Sequence, residues 1–244
     1  MKLTAGIFIA IAVITGCKKQ QETTPFVPIT PVVAPPVNTA DTALTYLALG
    51  DSYTIGQSVP AMQSFPFQLT AQLNNNNYRT ANPKIIAQTG WTTADLKRAI
   101  ADSAITKKYS FVTLLIGVNN QFQNGDTTIY RNDFDELVNT SIKYAKGNLK
   151  HVFVLSIPDW SVTPYAASSG RNLATIKTQI NRFNSINERE SKRLGVNYLN
   201  ITDISRLAAN NQNLLANDGL HPSGLMYLMW VKLLLPQVVL GLKQ

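Results

Sequence analysis

A serine, a histidine and an aspartate in this chain have the types and order that nucleophilic catalysis requires. Ser52 follows an apolar, strand-like run, and His221 lies in a polar loop three residues after Asp218. A serine hydroxyl is a poor nucleophile until a positioned imidazole accepts its proton. The other histidine, His151, opens an apolar run and has no evident chemical role there. The sequence therefore predicts serine-dependent hydrolysis with His221 as the base.

Five apolar runs predict the strands that position these residues. They are Leu44–Leu49, Lys84–Gln88, Phe111–Ile116, His151–Ile157 and Val196–Ile201. The runs are continuous rather than alternating, which is typical of parallel strands covered on both faces. With helical patterns between them, they predict an α/β fold: a three-layer α/β/α sandwich with a flavodoxin-like, five-stranded parallel sheet and right-handed crossovers. In such sheets the active site forms at the carboxyl ends of the strands.

The helical patterns have recognisable starts and apolar faces. Thr92 and Asp95 form a capping-box-like start, and Ser64 precedes a helix in which Phe65 and Pro66 open the first turn. The apolar positions of the predicted helices are Phe65, Leu69 and Leu73; Leu96 and Ile100; Phe134, Leu137, Val138, Ile142 and Ala145; Ile176, Ile180 and Phe183. A last helix begins near Pro222, and we expect core packing rather than a membrane span because a lysine and a proline interrupt its apolar run.

Four short blocks occur in order, each after a predicted strand or before the last helix. They are Gly50-Asp51-Ser52-Tyr53, Thr89-Gly90, Gly117-Val118-Asn119-Asn120 and Asp218-Gly219-Leu220-His221-Pro222. In this order the blocks resemble those of the GDSL or SGNH hydrolase superfamily, in which they supply Ser, Gly, Asn and His. The resemblance extends from about residue 44 to residue 242. Each block alone is a weak signal, but four in order form a specific one.

The resemblance implies a role for each of these residues. Ser52 attacks an ester carbonyl, His221 accepts its proton and returns it to the leaving alkoxide, and Asp218 orients the imidazole. The Ser52 backbone N–H, the Gly90 backbone N–H and the Asn119 side-chain amide form the oxyanion hole. The third block of the family usually ends in aspartate. Asn120 departs from that pattern, so we expect the hole to survive with altered local electrostatics.

The flanks of the predicted site are less specific. Trp91 follows Gly90, and Trp160 follows the fourth strand, so the two indoles are candidates for an acyl-binding or sugar-binding wall. Packing between loops is an equal alternative for both. Three further aromatic residues, Tyr53, Phe122 and Tyr165, are weaker candidates for the same region. The sequence has no cluster with metal-ligand spacing and no glycine-rich phosphate loop, so we expect neither a metal nor a cofactor.

The N-terminal segment differs from the rest of the chain. Residues 1–16 predict a lipoprotein signal peptide, because Lys2 precedes a short apolar stretch that ends in Ile-Thr-Gly before Cys17. This tetrad resembles a bacterial lipobox, whose cysteine is acylated; an ordinary secretory signal is the alternative. Residues 17–42 are rich in proline and threonine and predict a flexible linker. The hydrolase domain would then span residues 43–244.

The charge and the lipobox limit the partners that we expect. The formal net charge is +8, but the basic residues are scattered and no nucleic-acid motif accompanies them. We expect a monomeric ester hydrolase, lipid-anchored in the bacterial cell envelope, with the outer membrane as the default because Lys18 follows Cys17. Its substrate would be a small-molecule ester, a lipid ester or an acetylated glycan, with an acyl thioester as a further possibility. The alternative class is a non-catalytic lipoprotein that uses the fold as a binding module.

Overall fold

The computed structural model describes residues 43–244, so the predicted signal peptide, Cys17 and the linker lie outside the described residues. This part of the chain is an α/β fold with one five-stranded, entirely parallel sheet and helices on both sides. The strands are β1 (Tyr46–Asp51), β2 (Lys84–Gln88), β3 (Phe111–Leu115), β4 (Val152–Leu155) and β5 (Asn197–Leu199). Their order in the sheet is β2-β1-β3-β4-β5. The predicted fold class is confirmed.

The α-helices of residues 43–244 alternate with these strands. They are α1 (Ser52–Ile55), α2 (Phe65–Asn75), α3 (Thr93–Asp102), α4 (Val118–Phe122), α5 (Thr127–Tyr144), α6 (Pro164–Ser168), α7 (Leu173–Leu194), α8 (Thr202–Arg206) and α9 (Gly224–Gly241). The helices α3, α5 and α7 contact one another in chain order, whereas α2 packs against α9. The two groups are the outer layers of the sandwich.

The burial of each strand explains its composition. Every residue of β1, β3 and β4 is buried, and burial on both faces of a sheet favours the apolar side chains that make up most of these strands. The edge strands β2 and β5 are partly exposed. In the parallel register, Gly50 of β1 lies beside Ala87 of β2 and Leu115 of β3. The carboxyl ends of these three strands are therefore level, and the residues that follow them emerge at the same edge.

The last helix, α9, is a core helix by its packing. It is long and apolar enough to cross a membrane by length and composition, but 39% of it is buried inside the protein, and it packs against α2. Tyr227 and Trp230 of α9 are fully buried, and their rings contact Phe65 of α2. The core packing that we expected from the sequence accounts for its apolar composition.

Several predicted boundaries differ from the structure. The first strand begins at Tyr46 and continues to Asp51, because the chain stays paired with β3 up to Gly50 and with β2 up to Asp51. His151 was placed at the start of the fourth strand, but it ends a 3₁₀ turn, Leu149–His151, which precedes the first paired residue. The short helices α1, α4, α6 and α8 were not predicted. They are four or five residues long, too short for a hydrophobic period to show.

Candidate active site

Ser52 lies at the point where the order of the strands reverses. From β1 the chain goes outward to β2 and then returns past β1 to β3, and crevices at such points bind ligands in open α/β sheets. Ser52 is the first residue of α1, directly after β1. Asp51 is the N-cap of this helix, and its carboxylate accepts a hydrogen bond from the backbone N–H of Tyr53 at 3.0 Å. This tight strand-to-helix turn fixes the position of the Ser52 hydroxyl.

The structure brings Ser52, His221 and Asp218 into one hydrogen-bonded chain. His221 Nε2 lies 3.0 Å from Ser52 Oγ, and His221 Nδ1 lies 2.7 Å from Asp218 Oδ2. Ser52 is 4% exposed and His221 is 8% exposed, so little water competes for the bond between them. The ring of Tyr53 packs against the imidazole, with 5.0 Å between the ring centroids. This geometry can move a proton from the serine oxygen to the imidazole and stabilise the resulting imidazolium.

The acid and the base share one short turn between β5 and α9. The Ala216 N–H donates to the His221 carbonyl at 2.8 Å, which closes the turn. Asp218 Oδ1 accepts from the backbone N–H groups of Leu220 and His221, both at 2.9 Å. Partial burial opposes ionisation of Asp218, but hydrogen bonds from Ser58, His221 and these backbone amides outweigh it and lower its pKa to about 2. Asp218 is therefore a carboxylate at neutral pH.

The residues expected to form the oxyanion hole meet at the same edge of the sheet. The side-chain amide of Asn119, in α4, donates to the Trp91 carbonyl at 2.9 Å, which connects the segment after β3 to the segment after β2. Gly90 lies beside Trp91 at a positive φ of 85°, and the space around its α-carbon is open. This φ suits glycine, and the open space leaves the backbone approachable by a ligand. The segments that carry Gly90 and Asn119 are thus joined at the edge of the sheet from which Ser52 emerges.

Gly117 determines how the segment that carries Asn119 leaves β3. Its φ is 127°, and a Cβ added there would lie 2.4 Å from the Tyr130 hydroxyl oxygen and 2.8 Å from Ile157 Cδ1. Tyr130 is buried and donates to Asn187 Oδ1 at 2.6 Å, so it cannot move aside easily. A glycine is therefore required for the turn that directs α4 toward Trp91.

Asn120 ties the same segment to the start of α3. Its Oδ1 accepts from the Thr93 N–H at 3.0 Å, and its Nδ2 donates to Thr93 Oγ1 at 2.9 Å. The Thr93 hydroxyl in turn donates to Asp133 at 3.1 Å. An aspartate at position 120 could accept from the Thr93 N–H but could not donate to its hydroxyl. The asparagine therefore suits a site where a carboxylate, Asp133, already takes the hydroxyl proton.

The two tryptophans occupy different surroundings. Trp160 is 2% exposed, and its indole N–H donates to Gln121 Oε1 at 2.8 Å. Its ring lies 5.5 Å from the Phe122 ring and 6.1 Å from the Tyr165 ring, so its burial favours the packing alternative over a substrate wall. Trp91 is only partly buried and lies between Gly90 and the start of α3. Its position keeps it a candidate for contact with substrate.

Tyr165 borders the acid-base turn from α6. Its backbone N–H donates to the Gly219 carbonyl at 3.1 Å, and its side chain is 40% exposed. Of the aromatic candidates, Tyr53 therefore lies under the imidazole, Tyr165 beside the turn, and Phe122 against Trp160. Within residues 43–244, the His, Cys, Asp and Glu side chains form no group of three or more that could hold a metal ion.

Asp51 is a buried carboxyl next to the nucleophile. It is 1% exposed, and burial raises its pKa from 3.8 to about 7, while hydrogen bonds from the backbone N–H groups of Tyr53 and of Asp51 itself counteract part of that rise. A carboxyl of this kind exists in both protonation states near neutral pH. Its hydrogen bond with the Tyr53 N–H gives Asp51 a structural role in the turn.

Sequence reasoning missed Ser58, whose hydroxyl donates to Asp218 Oδ2 at 2.6 Å. The partners are 160 positions apart, and serine is common in loops, so no local pattern identifies the contact. The need for glycine at position 117 was also missed, because it depends on where Tyr130 and Ile157 pack. The order of the four blocks was the only sequence signal that brought the main residues together.

Solved structures share this architecture. TesA matches with a TM-score of 0.63 at 14% identity, over 81% of this chain and 99% of its own. The lipase/acylhydrolase from Enterococcus faecalis matches with a TM-score of 0.61 at 16% identity, over 80% and 95%. The acetylxylan esterase Axe2 from Geobacillus stearothermophilus matches with a TM-score of 0.59 at 15% identity, over 80% and 94%. At these identities the likeness shows the fold.

The sequence itself identifies the family. No curated protein is similar enough in sequence to add to the comparison. Residues 48–228, well over half of the chain, match the model of the GDSL-like Lipase/Acylhydrolase family. This match includes all four blocks and both members of the Ser52–His221 pair. The chain therefore belongs to the GDSL-like lipase/acylhydrolase family and is an ester hydrolase.

Proposed function

We propose that the protein hydrolyses carboxylic esters through an acyl-serine intermediate. The observation that carries this proposal is the hydrogen-bonded chain from Ser52 Oγ through His221 to Asp218, with distances of 3.0 and 2.7 Å. These are the distances at which a base activates a nucleophile and a carboxylate orients the base. Membership of the family and this geometry support the proposal.

The reaction proceeds in two halves. In the first, His221 Nε2 accepts the Ser52 proton as the serine oxygen attacks the ester carbonyl, and the imidazolium then protonates the departing alkoxide. In the second, water attacks the acyl-serine with His221 again as the base, and Ser52 is released. In both halves the Ser52 and Gly90 backbone N–H groups and the Asn119 amide stabilise the negative charge on the carbonyl oxygen. Asp218 remains ionised and holds the imidazolium in place.

The proposed substrate class is a broad one. An esterase or lysophospholipase-like activity on short-chain or lipid esters demands the fewest assumptions, and the partly buried Trp91 beside Gly90 offers an apolar surface for an acyl group. Removal of O-acetyl groups from an envelope or dietary polysaccharide is the second candidate, favoured by the structural likeness to the acetylxylan esterase from Geobacillus stearothermophilus. Activity on acyl thioesters is a third candidate that the same triad would permit.

The test of the reaction is turnover of p-nitrophenyl acetate, acetylated xylan, phospholipid and acyl thioester by the purified protein. Ser52→Ala should lower turnover by roughly 10⁴–10⁶-fold, as in other serine hydrolases. Ser185→Ala, which changes an exposed serine on α7, is the matched control and should leave turnover unchanged. If wild type and Ser52→Ala gave equal rates on every ester, the fold would instead serve as a non-catalytic binding module.

We propose further that the enzyme is a monomer anchored in the bacterial cell envelope, by acylation of Cys17 after removal of residues 1–16. The support is the apolar stretch that ends in a lipobox-like tetrad at the only cysteine of the chain. The proline-rich residues 17–42 would then hold the hydrolase domain away from the membrane. Cys17→Ser should release the protein from the membrane fraction. Unchanged fractionation would show that acylation of Cys17 is not the anchor.

A further inference from the structure

The carboxylate of Asp218 has a donor that comes from neither its own turn nor His221. Ser58 Oγ lies 2.6 Å from Asp218 Oδ2, the oxygen that also faces His221 Nδ1. We propose that Ser58 is a positioning residue of the active site, whose hydroxyl holds the Asp218 carboxylate in the orientation that His221 needs. The inference rests on the proposed function, because it adds a fourth member to the proposed chain from Ser52 to Asp218.

The backbone of the Ser58 loop is in a conformation that such a role would explain. Ser58 has a φ of 66°, which is uncommon for a residue other than glycine, asparagine or aspartate. Two residues before Ser58, Gly56 is the C-cap of α1 and has a φ of 78°. The loop is held to α1 by the Gln57 N–H, which donates to the Ser52 carbonyl at 3.0 Å. Rare backbone conformations cluster at functional sites, and this one directs the hydroxyl across to the acid-base turn.

The hydrogen bonds to Asp218 define what Ser58 adds. Asp218 Oδ1 is held by two backbone N–H groups of its own turn. Without Ser58, Oδ2 would keep only the imidazole N–H as a protein donor among the described contacts. The hydroxyl thus fixes the second oxygen from outside the turn. It also withdraws charge from the carboxylate, since a hydrogen bond to the charged form lowers the pKa of Asp218. Removing it leaves a more basic carboxylate beside His221.

Other titratable groups surround the pair but do not change with Ser58. Tyr53 packs on the imidazole from α1. Asp51, at the end of β1, and Asp159, four residues after β4, interact electrostatically with Tyr53. Tyr227 of α9 also interacts electrostatically with Asp218 and Tyr53. These groups stay in place in every variant proposed here, so a changed titration of His221 would report the lost hydroxyl.

The test combines an NMR titration of His221 with kinetics. The chain has two histidines, so a His151→Asn variant assigns the two imidazole signals. Ser58→Gly removes the hydroxyl and relieves the backbone, whereas Ser58→Ala removes the hydroxyl alone. In both variants the NMR pH titration of the His221 imidazole should differ from that of wild type, because the carboxylate that it faces has lost its donor from Ser58. The acid limb of the pH profile of kcat/KM should be displaced along the pH axis together with the NMR titration. At the pH optimum, kcat should fall about 10-fold with KM unchanged.

Two variants separate positioning from a merely structural role. Ser58→Asn keeps a side-chain donor in a residue that tolerates positive φ, so it should recover part of the lost kcat. Ala104→Gly relieves an exposed residue at a φ of 49° after α3 and should leave the His221 titration and kcat unchanged.

Three outcomes decide the matter. A wild-type titration and wild-type kcat in Ser58→Gly would overturn the inference. A loss confined to Ser58→Ala would assign the effect to backbone strain and overturn it as well. If the wild-type protein hydrolysed no ester, the proposed function would fail. The NMR titration, which needs no substrate, would still decide whether Ser58 acts on His221 through Asp218.

Discussion

Asp51→Asn tests whether the turn that presents Ser52 costs the protein stability. The carboxyl of Asp51 has an ordinary pKa of 3.8, and burial raises it to about 7 in the folded state. A difference of about 3 in pKa corresponds to roughly 4 kcal/mol of differential stability between the two protonation states. Asparagine keeps an oxygen that can accept from the Tyr53 N–H, so the cap of α1 should persist. The variant therefore removes the charge and retains the turn.

The contribution of Asp51 to the free energy of unfolding depends on pH. Between about pH 4 and pH 7 the unfolded chain releases the Asp51 proton while the folded chain retains it, so this carboxyl lowers the free energy of unfolding as pH rises. Above about pH 7 both states are ionised and the loss is complete. Because the asparagine does not titrate, the stability of the variant relative to wild type should increase by roughly 4 kcal/mol from pH 4 to pH 8. An unpartnered buried amide would subtract about 1–3 kcal/mol at both pH values.

The assay is urea unfolding of wild type and variant at pH 4 and pH 8, with the free energy of unfolding taken from the two-state transition. Asp126→Asn is the matched control, because Asp126 is also an N-cap aspartate, at the start of α5, but it is exposed. Hydrogen bonds from the Ile129 and Thr128 backbone lower the pKa of Asp126, so its replacement should change the pH dependence in the opposite direction. A stability difference for Asp51→Asn that is equal at both pH values would refute the assigned burial penalty.

Three further predictions concern the loops around Ser52. Asn119→Ala should lower kcat by about 10²–10³-fold, measured by ester turnover, because the amide stabilises the transition state. The variant should also lose about 1 kcal/mol of stability, because the same amide donates to the Trp91 carbonyl. An equal fall in KM and kcat would contradict that role. Gly117→Ala should lower stability by at least about 2 kcal/mol, since its Cβ would overlap the Tyr130 hydroxyl. Gly147→Ala has a φ of 82° but open space around it, so it should cost less in the same thermal unfolding measurement. Asn120→Asp should destabilise the protein by about 1–2 kcal/mol at pH 7 and by less at pH 4, because a carboxylate cannot donate to Thr93 and lies near Asp133. If Asn120→Asp were as stable as wild type at both pH values, the hydrogen bond that the Asn120 amide donates to Thr93 would be dispensable.

The parts of the fold that could be predicted from the sequence depend on local or strongly periodic signals. The second strand was predicted with its observed bounds, Lys84–Gln88, because its apolar run is bounded by polar residues. The capping box of Thr92 and Asp95 is confirmed, since both of its hydrogen bonds are formed within four residues of chain. Ser64 is the N-cap of α2, but its hydroxyl donates to the Ala61 carbonyl of the preceding turn instead of capping the helix. The residue types near a helix start therefore predict where the helix begins better than they predict which hydrogen bonds its N-cap residue forms.

The sequence predicts which residues the candidate site contains, but it does not predict the loop contacts that hold those residues in place. The ends of parallel strands converge at one edge, so ordered polar blocks after β1, β2 and β3 had to approach one another. Nothing in the sequence indicated that Ser58 would reach Asp218 or that Asn119 would bond to the Trp91 carbonyl, because both contacts depend on loop conformations far apart in the chain. The burial of Trp160 behind Phe122 and Tyr165 likewise follows from the packing of separate loops.

The distance along the chain between the nucleophile and its base has a consequence for when activity can begin. Ser52 leaves the first strand, whereas His221 lies on the turn that leads into the final helix, 169 positions later. A partly synthesised polypeptide can hold the serine in place yet still lack the histidine that lies 3.0 Å from it in the complete fold. Hydrolysis then starts only after the carboxyl-terminal segment has docked. The onset of turnover during refolding should therefore coincide with burial of Trp230, which fluorescence can follow in a variant whose other two tryptophans are replaced by phenylalanine.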